Sequence, residues 1–180
     1  NHQFVDVRNV EAIKKAIGDI RPDFIFHLAA QPLVKKSYES PLETFEVNIM
    51  GTGAILETVR TSDFPCVVVF ITSDKCYDNV EWTYGYRETD ALGGKDPYSG
   101  SKGGAELIIK SYFHSYFANQ TDRVRLGIGR AGNVIGGADW AADRIVPDCI
   151  RSWSQGEAVQ IRSPHATRPW QHVLEPLSGY

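Results

Sequence analysis

The chain has 180 residues, of which 42% are hydrophobic, 23% charged and 11% aromatic. That composition belongs to a globular protein and excludes a disordered tail, a collagen-like fibre and a disulfide-stapled miniprotein. Its 19 basic and 22 acidic residues give a formal net charge of −3, which excludes a broad nucleic-acid footprint, and its longest purely apolar run, Cys66 to Ile71, is too short to span a bilayer.

The first expected element is a helix capped by Asn9, with Val10, Ile13, Ile17 and Ile20 at helical spacing and Gly18 and Pro22 at its end. Phe24 to Leu28 reads as a short buried strand that runs into Ala29-Ala30. A second helix is expected to start at Ser40, with Pro41 in its first position and Glu43 closing a capping box. Its apolar stripe includes Phe45, Ile49, Leu56 and Val59. Val67 to Ile71 is β-branched without alternation, which predicts a strand buried on both faces of a parallel sheet. Residues 72–97 are polar and aromatic, long for a connection without function. A third helix is expected from about Tyr98 to Ala118, then a strand from Val124 to Arg130. A short helix near Ile145 to Trp153 and a strand near Val159 to Arg162 follow.

This alternation predicts an α/β protein with right-handed βαβ units and a parallel sheet covered on both faces. Ligands bind such sheets beyond the carboxyl ends of the strands. His27 to Gln31, Thr72 to Tyr77 and Arg130 to Gly137 occupy those positions. Cys66, Cys76 and Cys149 have no C-x-x-C spacing and suit free thiols in a reducing compartment. The five histidines form no ligand-spaced pair, so no metal site is expected.

Tyr98 and Lys102 lie one turn apart at the start of a helix and share a face. A nearby ammonium favours the phenolate and would make Tyr98 a general base for a hydroxyl proton. Thr72-Ser73-Asp74-Lys75 sets a hydroxyl, a carboxylate and an amine side by side at the end of the buried strand. Taken alone, it is also what a polar turn looks like. Ala29 and Ala30 are small enough for a planar cofactor to approach, or for tight helix packing. Asp6 offers an acceptor for an adenine amine, Asn133 a substrate contact or an αL turn, and Arg162 and Arg168 partners for a pyrophosphate or ordinary surface charge.

Five segments then occur in order: Phe26-His27-Leu28-Ala29-Ala30-Gln31, Val47-Asn48-Ile49-Met50-Gly51-Thr52, Thr72-Ser73-Asp74-Lys75-Cys76-Tyr77, Tyr98-Ser99-Gly100-Ser101-Lys102 and Arg130-Ala131-Gly132-Asn133-Val134. Their order and spacing resemble the extended short-chain dehydrogenase/reductases that act on nucleotide sugars, over nearly the whole chain. Within that family, an acid/base pair after the strand hydroxyl resembles the sugar 4,6-dehydratases, where it is commonly Asp-Glu. Here the second residue is Lys75.

The resemblance implies NAD as cofactor, a nucleotide-sugar substrate, and dehydration through an internal redox cycle. It implies Ser73, Asp74, Lys75, Tyr98 and Lys102 as catalytic residues. Lys75 either takes the C5 proton or stays charged and stabilises the enolate. Asp6, Val7, Leu28, Ala29, Ala30, Asn48, Thr72, Tyr98 and Lys102 would meet the cofactor or support it, and Gln31, Asn133 and Arg168 the nucleotide sugar. No nucleic acid or membrane is implied. The family implies a cytoplasmic homodimer joined through the Tyr98 helix, where Tyr112, Phe113, Tyr116 and Phe117 offer aromatic surface, and a role in deoxysugar supply such as that for lipopolysaccharide O-antigen.

The chain begins at Asn1, and no G-x-x-G-x-x-G turn follows an opening strand. The expectation is therefore a partial Rossmann-type doubly wound parallel sheet, lacking its N-terminal βαβ unit, over 1–132, with the start of a small nucleotide-sugar-binding part over 133–180. It would be the catalytic middle of a protein roughly twice as long. Without the phosphate-binding turn, the chain alone is expected to bind NAD weakly and not to turn over.

Overall fold

Phe24–His27 (β1), Cys66–Ile71 (β2) and Val124–Gly129 (β3) carry the β-branched and aromatic runs, and they pair in parallel in the order β1-β2-β3. This is seen in a computed structural model, which describes residues 2–180. Phe24 lies opposite Val67, and Cys66 opposite Val124. The backbone divides into two units, one ending at Ala131 and the other spanning Gly132–Tyr180.

In the first unit, helices cover one face of the sheet. Helix α1 (Val10–Ile20) is capped as expected, the Asn9 side chain accepting from the Ala12 amide at 3.1 Å. It ends at Arg21 in the left-handed region. Helix α4 (Gly51–Thr61) brings Ile55, Leu56 and Val59 onto Cys66, Val68 and Phe70. Helix α5 (Pro97–Tyr112) adds Ile109, and the π-helical stretch Phe113–Phe117 adds Phe117.

Several expectations change here. A short helix α2 (Val34–Glu39) precedes α3 (Pro41–Phe45), and only Ser40 separates them. The capping box at Ser40 does not form. The Ser40 amide donates to the Lys36 carbonyl and so closes α2, while the Glu43 carboxylate meets Lys36 at 3.3 Å. After α3 the helical backbone runs through a π-helical stretch, Glu46–Met50, directly into α4.

Strand β2 is not sealed on both faces. Cys66, Val68 and Phe70 are buried, whereas Val67, Val69 and Ile71 are half-covered. Beside them on that face, Phe24 is 62% and Phe26 50% exposed. The apolar run reflects what both faces of the strand can bury, while the covering observed depends on which helices are present. Of the aromatics at the end of α5, which at helical spacing serve equally as core or as surface, Phe117 is fully buried core.

The second unit pairs β4 (Asn133–Ile135) with β5 (Trp170–His172) in parallel, accompanied by α6 (Ile145–Ser154) and α7 (Leu174–Gly179). The strand expected near Val159 to Arg162 does not form. Arg162 is instead drawn to Asp143 at 2.6 Å, and the ladder partner of β4 comes from Trp170–His172.

Candidate active site

The N-terminus of α5 is built to be sharp. Pro97 fills its first turn, and Asp96 caps it by accepting from the Ser99 amide at 2.9 Å and the Ser99 hydroxyl at 2.6 Å. Tyr98, Lys102 and Glu106 then follow at four-residue intervals on one face. All three are buried, at 8%, 7% and 0% exposure.

The end of β2 meets this face. Asp74–Cys76 forms a 3-10 turn, with Ser73 Oγ accepting from the Lys75 amide at 3.3 Å. The approach needs a glycine on the helix. A Cβ on Gly103 would stand 2.8 Å from the Gly93 carbonyl oxygen and 3.3 Å from that of Cys76. Gly94 adds a second close contact at φ +148°, where a Cβ would lie 2.4 Å from the Gly100 nitrogen.

Within the turn, the Ser73 hydroxyl and the Lys75 ammonium both donate to Asp74 Oδ1, at 3.0 and 3.1 Å. Hydroxyl, carboxylate and ammonium thus form one chain. Lys102 reaches back under the strand, its Nζ donating to the Ile71 carbonyl at 3.5 Å. Burial pulls its pKa down to about 8, so it still carries its charge at neutral pH. Tyr98 sits in the first turn of α5, one turn before Lys102.

The other expected positions separate into distinct groups. Leu28 and Ala29 are exposed and Ala30 is half-covered, just beyond β1. Asn48, placed by the π-helical stretch, accepts from the Gln31 amide at 2.8 Å and donates to Ser101 Oγ at 2.8 Å. It is thereby tied to α5 at the residue before Lys102. Gln31 is not free to meet a substrate. Its side chain is buried and committed to Leu33 and Thr44. The Thr72 hydroxyl is likewise committed, donating to Glu106 Oε1 at 2.7 Å.

Asp6 is held by Arg8 at 2.6 Å, and this hydrogen bonding lowers its pKa to about 2. Val7 packs on Gly51. In the second unit, the Asn133 amide donates to the Pro169 carbonyl at 3.1 Å, which brings Asn133 and the exposed Arg168 to one end of the β4–β5 pair. Among the described residues, no cluster of His, Cys, Asp and Glu could hold a metal ion, and no helix is long and apolar enough to cross a membrane.

Two groups escaped sequence reading. Glu106 accepts from Arg130 Nε at 2.7 Å and also pairs with Arg130 Nη2. Its signal was present, as an acid two turns past Tyr98 among small and apolar residues. His27 is the other. It is buried, 3.1 Å from Thr52 Oγ1 and edge-on to Phe70. Burial, with Lys102 nearby, lowers its pKa to about 4. Unfolded His27 takes up a proton near pH 6.5 and folded His27 only near 4. The unfolded chain therefore binds more protons in that window, and stability falls as pH falls through it. The full-length protein is expected to lose about 3 kcal/mol from this source between pH 7 and pH 4, and His27→Gln to lose that much less. Urea midpoints of both proteins at the two pH values check this.

A tyrosine and a lysine thus share one helical turn, and a hydroxyl–carboxylate–amine turn packs against the same helix at the carboxyl edge of a parallel sheet, the arrangement expected of the nucleotide-sugar short-chain dehydrogenase/reductase class. The chain belongs to the GDP-mannose 4,6 dehydratase family, whose model matches residues 2–178. It is 53% identical over 179 residues to the CDP-glucose 4,6-dehydratase of Salmonella typhimurium, covering 97% of this chain and 50% of that protein. The fold is shared with the dTDP-glucose 4,6-dehydratase of Streptomyces venezuelae, solved with NAD, at TM-score 0.83 and 22% identity over 97% of this chain and 51% of that one. The Thermus thermophilus UDP-glucose 4-epimerase in complex with NAD matches at TM-score 0.78 and 28% identity, over 94% of this chain and 55% of that one. The chain thus spans about half the length of the relatives it matches, and its sheet is of the Rossmann type.

Proposed function

We propose that the full-length protein carrying this chain is an NAD-dependent lyase that converts CDP-glucose to CDP-4-keto-6-deoxyglucose. The observation that carries this reading is the Ser73-Asp74-Lys75 turn packed on the helix face that bears Tyr98 and Lys102. Two proton-handling centres at one strand edge are what a dehydration beside a redox step requires. The identity to the Salmonella CDP-glucose enzyme supports the choice of substrate.

The residues fit NAD. Lys102 is a buried ammonium with three donors and a long 3.5 Å bond to Ile71, so it retains capacity for a ribose diol. Leu28, Ala29 and Ala30 leave room for a flat ring, and Asp6 and Val7 would lie near the adenine. NAD, when bound, supplies the redox chemistry by accepting hydride from C4 and returning it at C6. Tyr98 takes the proton of the 4-hydroxyl, with the Ser73 hydroxyl holding the same oxygen. The C4 ketone acidifies the proton at C5, which Lys75 removes and a solvent-exchanged proton replaces when the hydride reaches C6. Asp74 gives a proton to the departing 6-hydroxyl. Asn133 and Arg168 would bind the nucleotide sugar.

Exposed Leu107 on α5 and Tyr116 just beyond it suit a homodimer contact. The expected setting is cytoplasmic deoxysugar synthesis. The test is incubation of the full-length protein with NAD and CDP-, dTDP-, UDP- and GDP-hexoses. Loss of one water from CDP-glucose, read by mass, is expected. Turnover of another nucleotide sugar but not CDP-glucose overturns the substrate, and turnover of none overturns the enzyme.

A further inference from the structure

A fully buried carboxylate is costly unless cations and donors surround it. Glu106 meets that demand in a particular way. It accepts from Thr72 Oγ1 at 2.7 Å and from Arg130 through two nitrogens. Burial alone would raise its pKa, yet these hydrogen bonds hold it below the usual carboxylate range. Arg130 in turn donates to the Tyr77 hydroxyl at 2.8 Å, its guanidinium lying 4.7 Å from that ring's centre.

The anchors bracket the Ser73-Asp74-Lys75 segment. Thr72 precedes it, and Tyr77, reached through Arg130, follows it. Tyr98 and Lys102 ride on α5 itself and need no such link. Glu106, on the same helix face, is what ties both ends of the turn to that helix. Resting on the functional reading above, we propose that Glu106, with Arg130 as its counter-ion, is a positioning residue that sets the Asp74–Lys75 turn against α5. It therefore governs the C5–C6 elimination more strongly than proton removal at the C4 hydroxyl.

The experiment compares the full-length wild type with Glu106→Gln, Glu106→Asp and Arg130→Lys. Glu106→Gln keeps the shape and loses the charge that grips Arg130. Its kcat for dehydration is expected to fall about 10- to 100-fold, with KM for the nucleotide sugar within about threefold. The distinguishing readout is the 4-ketohexose that still carries its 6-hydroxyl, trapped by borodeuteride and counted by mass. It should accumulate in the variants and not in the wild type. Glu106→Asp keeps the charge, so it should restore part of the dehydration and show the same split should Glu106→Gln fail to fold. Equal loss of both steps in a folded variant, or no loss, overturns the proposal. A wild type inert toward every nucleotide sugar overturns the functional reading instead.

Discussion

Replacing Tyr98 by Phe is expected to lower turnover by about 10²- to 10⁴-fold, the range for loss of a general base. The fold should survive, because the ring stays in its buried place and only the hydroxyl is lost. The size of the effect follows from the helix. Asp96 and Pro97 fix the start of α5, so Tyr98 occupies the turn where backbone amides point outward and favour an anion. Lys102, one turn on and desolvated but still charged, adds to that field. Equilibrium binding of the nucleotide sugar should change little, which separates lost chemistry from lost affinity. A variant that keeps more than about a tenth of wild-type turnover would remove Tyr98 from the role of base.

Replacing Lys75 by Ala is expected to slow solvent-deuterium entry at C5 by about 10²- to 10⁴-fold. An ordinary ammonium cannot take a proton, and in the proposed reaction the contact with Asp74 would resolve that difficulty. Lys75 Nζ and Asp74 Oδ1 lie 3.1 Å apart. One proton passed along that contact turns an ammonium and a carboxylate into an amine and a carboxylic acid. Those are the base needed at C5 and the acid needed at the 6-hydroxyl, and the pair has neither gained nor lost a proton. After elimination the amine holds the C5 proton and the acid has delivered its own, so the ion pair is restored. Water strongly favours the ion pair, and a bound sugar that excludes water narrows the gap. Lys75→Arg tests the alternative of a charged stabiliser, since arginine keeps the charge but does not deprotonate. Recovery of exchange in that variant would favour the stabiliser. Undiminished exchange in Lys75→Ala would remove Lys75 from the step altogether.

Much of this site was legible because its chemistry is local. A four-residue interval on a helix places Tyr98 beside Lys102 whatever surrounds them. A β-branched run ending in Thr72-Ser73-Asp74-Lys75 puts polar groups at a strand end. What failed was non-local. Gln31 spends its side chain on Leu33 and on Thr44 of α3, partners that no local pattern announces. Ser40 had every mark of a capping box, but its amide closes α2 and Glu43 turns to Lys36. The strand expected at Val159 to Arg162 had suitable residues and lacked a ladder partner, whereas Trp170–His172 found one.

The sequence by itself determined the α/β alternation, the helix face bearing Tyr98 and Lys102, and the polar turn after β2, because each depends on residues within a few positions of one another. Only the tertiary structure decided how that helix face and that turn meet. Glu106 and Arg130 are 24 residues apart, and Thr72 is 34 from Glu106. Their union depends on a buried carboxylate that must be satisfied, and the groups that satisfy it come from wherever the fold delivers them.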